Sequence, residues 1–318
     1  MRSAEAGGAA PHATGLDAAL AADPAARRAG GILHVDLDAA AWNYRRLCDE
    51  LTPGTECAAV VKANGYGLGV DKVAPAFAAA GARSFYVATI EEGLQLRRVL
   101  TDAGRPEAAI YVLNGPLPGT ERELMEARLT PVLNSLGDLE IWRAAGKAAG
   151  LRPAAALHVD SGMSRLGLPD DEVDRLAEDP TPLADIELAH ILTHLSSADD
   201  PAHPENAAQL ARFDAALARL PAAPVSFANS AGIFLDKAYH RDLARPGVAL
   251  YGVNPKPGRE NPMKRVVTLK VRVLQVRQID AQRGVGYGAS FRAQGPTRIA
   301  TIAAGYADGL LRHLSNSG

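Results

Sequence analysis

The residue best suited to covalent chemistry in this sequence is Lys62, which ends the apolar run 58–61 and precedes the glycine-rich segment 63–69. A lysine at the end of a buried strand has a partly desolvated ammonium. Desolvation lowers its pKa and makes the amine available to form a Schiff base with a carbonyl group. Most lysines in such positions are solvated strand ends without chemistry. Lys62 is therefore a candidate nucleophile whose interpretation depends on its neighbours.

Small residues that expose backbone N–H groups form a second feature. They occur at Asn229 and Ser230 and again at Gly247, each directly after an apolar run. In barrels of alternating strands and helices, the loops after the last strands commonly bind a phosphate. A reactive lysine and a phosphate-binding cup together predict pyridoxal phosphate as the cofactor. Taken singly, Ser230 and Gly247 are equally typical of ordinary turns.

Two other patterns give weaker evidence of a binding site. The spacing Gly65-x-Gly67-x-Gly69 lacks the third glycine of the dinucleotide fingerprint, because Val70 follows. His190 and His194 lie in a strand-like run without the glutamate of the zinc helix motif. We therefore predict no metal site.

The elements that must position these residues follow a regular rhythm of apolar runs and amphipathic segments. Eight apolar runs cover residues 58–62, 85–90, 109–114, 130–134, 154–160, 188–195, 225–229 and 243–252, and amphipathic segments include 91–100, 138–149, 170–178 and 205–220. Strands alternating with helices indicate parallel β/α units, and eight of them predict a (β/α)8 barrel of the TIM type. A doubly wound sheet has the same alternation. The polar residues at the ends of the runs, Lys62, Asp160 and His194 among them, favour the barrel, whose active site lies at the carboxyl ends of its strands.

Three segments are expected along the chain. Residues 1–29 are rich in Ala, Gly and Pro and predict a flexible tail, because they bury little apolar area. The barrel is expected at 30–255. Residues 256–318 begin with a Pro/Gly-rich link and continue in alternating β-type runs at 266–279 and 298–303, which predict the start of a mostly β domain. The chain stops shortly after the second run, so this domain is expected to be incomplete.

Composition narrows the class of partner. The chain has 318 residues, 47% of them hydrophobic, and a formal net charge of -2 with both signs interspersed. Such a surface has no basic footprint for nucleic acid or an anionic membrane, so we expect a small-molecule substrate or a second copy of the chain. Cys48 and Cys57 are the only cysteines and no leader segment is evident, which together predict a cytoplasmic protein.

Motifs spread along the chain resemble those of one known family, the alanine racemases. They are VKANGYG at 61–67, HVDSGMSRLG at 158–167, TH at 193–194, NSA at 229–231, RPG at 245–247, YG at 251–252, VGYGA at 285–289 and GYADG at 305–309. They occur in the family's order across residues 31–318. The resemblance implies a pyridoxal-phosphate enzyme with an N-terminal barrel and a C-terminal β domain, which forms a homodimer and racemises alanine.

The resemblance also implies roles for individual residues. Lys62 would bind the cofactor covalently and act as the base on one face of the substrate, while Tyr287 of the neighbouring subunit would act on the other face. Two opposed bases suit racemisation, since one removes the α-proton and the other returns a proton from the far side. His194 and Arg245 match a hydrogen-bond chain to that tyrosine, and Arg245 also matches the residue that faces the pyridine nitrogen.

Further matches concern the cofactor's phosphate and the substrate. The residues that match phosphate contacts are Tyr66, Ser230, Gly247, Val248 and Tyr306. Arg165 matches a residue that orients the cofactor ring and the substrate carboxylate. His158 departs from the family, many of whose members have at this position a lysine that orients the arginine.

Three alternatives remain open at the level of sequence. A racemase of serine or of a broader range of amino acids would share every motif above. Related barrels decarboxylate basic amino acids, although that chemistry needs an acid where Arg245 stands. A cofactor-binding protein without turnover is the third alternative, and Tyr287 argues against it because a carrier needs no second base.

Overall fold

The structure, a computed structural model, describes residues 23–314 and contains two compact units. One unit comprises residues 35–266, and the other combines the residues up to His34 with those from Val267 onward. The sequence places the first boundary at residue 30, whereas the contacts divide the chain after His34. Most of the predicted tail 1–29 lies outside the described residues. Its described part includes a short helix, Pro24–Arg28, capped by the Asp23 side chain.

Parallel strands form a closed barrel in the larger unit. In hydrogen-bonded order they are Glu56–Cys57, Leu243–Ala244, Val225–Ser226, Glu187–Leu192, Ala154–His158, Leu129–Leu133, Ala109–Val112, Ser84–Val87 and Ala59–Val60. The first and last of these nine segments are two halves of one strand, interrupted only at Ala58. One half pairs with Leu243–Ala244 and the other with Ser84–Val87, so eight strands close the circle. The predicted (β/α)8 barrel is confirmed.

Helices alternate with these strands. They are Leu37–Glu50, Val70–Ala80, Ile90–Asp102, Glu121–Glu126, Leu136–Ala149, Asp170–Glu178, Thr181–Ala184 and Pro204–Leu217, with single 3-10 turns at Gly232–Phe234, Lys237–Tyr239 and Val248–Tyr251. Side chains cap several of these helices. The Thr89 hydroxyl oxygen accepts a hydrogen bond from the backbone N–H of Glu92, and that of Ser135 accepts one from the N–H of Asp138. Such caps satisfy N–H groups that the helix itself leaves without a partner.

The apolar core explains why the strands are so uniformly hydrophobic. All four residues of Ser84–Val87 are buried, as expected for parallel strands covered on both faces. Trp142 is the largest fully buried side chain and donates its indole N–H to Ala154 O at 3.2 Å. This core makes the barrel a rigid frame for the loops that follow each strand.

The described part of the second unit contains two-stranded sheets, two of which are antiparallel. Gly31–Val35 pairs with Val267–Val271, Val273–Ile279 pairs with Thr297–Ile302, and Gly284–Val285 pairs with Phe291–Arg292. The strand-rich character predicted for the C-terminal segment is confirmed. Leu274 and Val276 are 64% and 50% exposed in this unit. Across residues 23–314, no helix is both long and apolar enough to cross a membrane.

Gly146 provides a test of the packing around the barrel. It is buried in Leu136–Ala149, and a Cβ added there would collide with the Pro153 ring and lie 3.0 Å from Leu151 O. We expect Gly146→Ala to lower the free energy of unfolding by about 1–3 kcal/mol through overpacking, despite the better helix propensity of alanine. Chemical denaturation measures this change. Gly137→Ala is the matched control, because Gly137 is exposed in the same helix with only ordinary contacts; equal stability of the two variants would contradict the packing shown here.

Candidate active site

A cavity of about 530 Å³ opens at the carboxyl ends of the barrel strands. All eight predicted site residues of the larger unit line it: Lys62, Tyr66, Arg165, His194, Ser230, Arg245, Gly247 and Val248. His158 lines it as well. Tyr287 and Tyr306 belong to the other unit, where both side chains are exposed. The barrel therefore assembles most of the predicted site from loops that are far apart in sequence.

Lys62 follows the half-strand Ala59–Val60 and is partly buried at the cavity wall. Burial lowers the pKa of its amine, and the Arg165 guanidinium lowers it further, while Glu92 opposes both. A lowered pKa increases the neutral fraction of the amine, which is the nucleophilic form. The environment thus supplies what a carbonyl-capturing lysine needs.

The residues after Lys62 form a left-handed turn. Ala63, Asn64, Gly65 and Tyr66 all have positive φ, between 53° and 64°. This conformation costs roughly 1–2 kcal/mol for each residue other than glycine. Gly65 suits it best, and Asn64 Oδ1 stabilises the exit by accepting the Val70 N–H at 2.9 Å. The turn ends in the helix Val70–Ala80 and brings Tyr66 back to the cavity.

Ser230, Gly247 and Tyr66 form a cup with the features of an anion-binding site. Ser230 Oγ accepts the N–H groups of Gly247 at 2.9 Å and Ala249 at 3.2 Å, so the hydroxyl proton of Ser230 remains available to donate. The Tyr66 hydroxyl occupies the space that a Cβ on Gly247 would need. Only glycine permits this approach. The Tyr66 ring also packs on Tyr251, with centroids 4.6 Å apart.

Arg245 is a fully buried cation at the base of the cavity. Its guanidinium donates to Ser226 Oγ and Thr193 O and lies 5.9 Å from the Tyr86 ring centroid. These acceptors are neutral, so the charge is solvated by dipoles and a π-face rather than by a carboxylate. In a site of low dielectric constant, such a charge acts strongly on any ligand atom beside it.

Three histidines surround this cation and are held neutral. Burial lowers the pKa of His158, His190 and His194 to about 3 in each case, and the charge of Arg245 is the second cause. His190 Nε2 lies 2.8 Å from the Tyr86 hydroxyl, within the barrel, whereas His194 lines the cavity. His190 and His194 therefore face different surroundings, although they lie only four residues apart.

The hydrogen bonds of Asn134 fix the tautomer of His158. Asn134 Nδ2 donates to Leu113 O and Val132 O, both at 3.0 Å, so its Oδ1 is the acceptor for His158 Nδ1 at 2.8 Å. Nδ1 must therefore carry the proton, and Nε2 has a free lone pair. His158 therefore offers a neutral acceptor at the cavity wall.

Two polar residues to which the motifs assign no role in binding or catalysis hold the cavity loops. Asp160 Oδ1 accepts the N–H groups of residues 162–164 at 2.9–3.1 Å and shapes the loop that carries Arg165. Gln209 is fully buried, donates to His194 O at 2.9 Å and accepts the Ser196 N–H at 2.9 Å. The sequence gives no local signal for Gln209, since its partners lie 13 and 15 residues away.

Comparison with known proteins assigns this arrangement to a family. Residues 35–255 match the model of the alanine racemase N-terminal domain, and residues 266–318 match that of the C-terminal domain. The chain belongs to the alanine racemase family. Among curated relatives, a catabolic alanine racemase of Mesorhizobium japonicum is 50% identical over 289 residues, covering 91% of this chain and 74% of the relative. An alanine racemase of Rhodospirillum rubrum is also 50% identical and is covered to 76%.

Solved structures agree with this membership. The alanine racemase of Bartonella henselae, solved with covalently bound pyridoxal phosphate, has a TM-score of 0.84 and 45% identity. The match covers 90% of this chain and 78% of that one. The alanine racemase of Streptomyces coelicolor has a TM-score of 0.82 and 33% identity, and the match covers 95% of this chain and 80% of that one. The predicted family membership is confirmed.

The neutral histidines of this racemase predict acid sensitivity. The pKa of His190 falls from an ordinary 6.5 to about 3 on folding. Between those values the unfolded chain binds more protons than the folded one, so stability is present above pH 6.5 and is lost as the pH falls toward 3. We expect His190→Gln to reduce the slope of unfolding free energy against pH by about 1 kcal/mol per unit between pH 6 and 5. Urea denaturation at several pH values measures it; an unchanged slope would show that His190 titrates normally.

Proposed function

We propose that this protein interconverts L- and D-alanine with pyridoxal phosphate held in the barrel cavity. The observation that carries the proposal is a partly desolvated lysine amine in one cavity with an anion-binding cup and a buried arginine. The relatives named above support it, since they are called alanine racemases and one of them contains the cofactor covalently bound.

The residues present fit the cofactor. Ser230 has a hydroxyl proton to donate, and Gly247 leaves room for a close approach of the Tyr66 hydroxyl, so the cup suits a phosphate. Val248 lines the same cavity and would add a phosphate contact. Lys62 would hold the aldehyde carbon through Nζ.

Arg245 would lie against the pyridine nitrogen. An arginine stays protonated and keeps its proton, so it would donate a hydrogen bond to that nitrogen without transferring the proton. His194 is held neutral and would serve as a link between Arg245 and the second base, without adding a charge of its own. Arg165 would bind the substrate carboxylate, and the unprotonated Nε2 of His158 offers its guanidinium an acceptor.

The cofactor, when bound, supplies an electron-withdrawing ring that acidifies the α-carbon of the amino acid. The chain's own residues then move the proton. Lys62 Nζ, released when the amino group of the substrate takes its place on the cofactor, would take or return the proton on one face of the α-carbon, and the phenolic oxygen of Tyr287 would do so on the other. Hydrogen-bond donors beside the phenolic oxygen of Tyr287 would help it to exchange a proton with the substrate.

The second base would come from a partner subunit in a homodimer with shared sites. Tyr287 is fully exposed within its own unit, and the apolar side chains of Leu274 and Val276 are exposed there too, which supports burial against a second copy. The free thiols of Cys48 and Cys57 support the proposal that the protein works in the reducing cytoplasm.

Heavy water provides the first test. With pyridoxal phosphate and L-alanine, we expect the wild-type chain to exchange the α-proton for deuterium and to form D-alanine, because both bases draw on solvent. NMR follows the α-proton, and chiral chromatography follows D-alanine. Lys62→Ala should lose both signals together with the absorbance of the lysine-bound cofactor. Retention of colour and turnover in Lys62→Ala would overturn the assignment of Lys62.

Mixing two inactive variants tests the shared site. In a mixed dimer of Lys62→Ala and Tyr287→Phe, one site has both defects and the other has neither. Random reassociation should therefore restore about a quarter of wild-type activity, although neither variant alone is active. No recovery, with mixed dimers demonstrated by mass spectrometry, would mean that each site draws both bases from one chain.

A further inference from the structure

We infer that Glu92 is a positioning residue for Lys62: its carboxylate clamps the left-handed turn from which the lysine side chain enters the cavity. The inference rests on the proposed function of Lys62 as the cofactor-binding residue. Glu92 is not among the residues that line the cavity, whereas Lys62 and Ala88 are, so Glu92 would act on the chemistry through its neighbours.

The two oxygens of Glu92 join two loops. Oε1 accepts the N–H of Ala63 at 2.7 Å, and Oε2 accepts the N–H of Ala88 at 2.7 Å. Ala63 is the residue directly after Lys62, and Ala88 directly follows the neighbouring strand Ser84–Val87. Hydrogen bonds from N–H groups to a carboxylate are roughly twice as strong as bonds between neutral groups. The carboxylate thus ties the turn to the adjacent strand end.

Local sequence rules do not require this arrangement. Thr89 caps the helix Ile90–Asp102, and a glutamate three residues later is typical of a capping box, whose acid normally bonds back to the N–H of the cap residue. Here the Thr89 half of the box is present, since Oγ1 accepts the Glu92 N–H. The acid instead bonds to Ala88 and reaches Ala63, 29 residues away. The Glu92 carboxylate therefore bonds to the turn after Lys62 and does not complete the helix cap.

The turn needs such a restraint because its backbone is strained. Ala63 has φ 53° and ψ 47°, a conformation that residues with a Cβ rarely adopt. Gly67 N–H bonds to Ala63 O at 2.8 Å, so the position of Ala63 determines that of the rest of the turn. If the Ala63 N–H lost its charged acceptor, the turn would relax and the start of the Lys62 side chain would move with it.

Charge gives Glu92 a second effect on the same amine. Burial and Arg165 lower the pKa of Lys62, and Glu92 raises it. The other titratable or charged groups that line the cavity with Lys62 are Tyr66, Tyr86, His158, His194, Asp199 and Arg245. The histidines are held neutral, and burial raises the pKa of Tyr66 and Tyr86 further above neutrality. Removal of the Glu92 charge should therefore shift the titration of Lys62 to lower pH.

Three variants separate geometry from charge. Glu92→Gln keeps the shape, loses the charge and turns an N–H donor toward one of the two backbone N–H groups. Glu92→Asp keeps the charge but is too short to span both loops. Glu91→Gln is the control, because it removes one charge from the same helical turn at an exposed position.

The readout is the rate at which free pyridoxal phosphate is captured by the full chain freed of cofactor. Borohydride stops the reaction at each pH, and mass spectrometry of the Lys62 peptide gives the amount captured. The capture rate is plotted against pH. The constant rate reached at high pH, the plateau, reports how well the Lys62 amine is placed, and the pH at half of that rate, the midpoint, reports the titration of the amine. Hydrogen exchange at the Ala63 and Ala88 amides reports the clamp itself.

We expect Glu92→Gln to lower the plateau at least about tenfold, to move the midpoint to lower pH and to accelerate exchange at both amides. Glu92→Asp should lower the plateau without moving the midpoint, and Glu91→Gln should resemble the wild type. A folded Glu92→Gln with wild-type plateau, midpoint and amide exchange would overturn the inference. If Glu92→Gln does not fold, a wild-type plateau and wild-type amide exchange in Glu92→Asp would overturn it.

The proposed function can fail separately. If the wild-type chain captures no pyridoxal phosphate at Lys62, the assignment of Lys62 is wrong whatever the variants do. In that case wild-type exchange rates at Ala63 and Ala88 in Glu92→Gln would also reject the clamp, and faster rates would retain it as a structural restraint alone.

Discussion

One interrupted strand, hydrogen bonded on both sides, determines where every other part of the site can lie. Its halves, Glu56–Cys57 and Ala59–Val60, pair with the last strand of the barrel and with the next one along the chain. Because parallel strands share one direction, all their carboxyl ends meet at one mouth. Lys62 therefore emerges between the loop that carries Gly247 and the helix that carries Glu92. Residues some 180 positions apart in sequence become neighbours through backbone hydrogen bonds alone.

The electrostatics of the cavity follow from the burial of its ionisable groups. One permanent cation, Arg245, is retained in the interior, and the histidines around it give up their protons because a second buried charge would cost more than a neutral ring. The result is a set of acceptors and donors with fixed roles, as the His158 tautomer illustrates. A ligand that enters meets oriented dipoles and the buried charge of Arg245, besides the more exposed side chains of Arg165 and Asp199, so little reorganisation is needed at the moment of reaction.

The sequence predicts the helices and strands of the barrel better than it predicts the residues that hold the cavity side chains in place. The helix Asp170–Glu178 coincides with the predicted 170–178, because its charges and apolar positions follow one helical period. The last run, 243–252, is predicted as a single strand, but only Leu243–Ala244 is one. Pro246 and Gly247 end it, and a 3-10 turn follows at Val248–Tyr251.

The cavity residues of the barrel were accessible from motifs because their types are chemically distinctive. Asn134, Gln209 and Glu92 were not, since each acts through a contact between segments 13 to 29 residues apart. An asparagine or glutamate in a loop or first helical turn has no local feature that reveals such a partner. Under the proposed function, Tyr287 would be placed by a second copy of the chain, which no single sequence pattern can locate.

The left-handed turn after Lys62 also affects how variation among relatives should be interpreted. At Gly65 a side chain would face a backbone with φ 64° and the Val73 methyl group 2.6 Å away, so selection there acts on shape alone. An invariant column at this position in an alignment would report a steric demand and carry no information about which substrate is bound. Substrate preference within the family must instead be sought at residues whose side chains, unlike Gly65, reach the cavity.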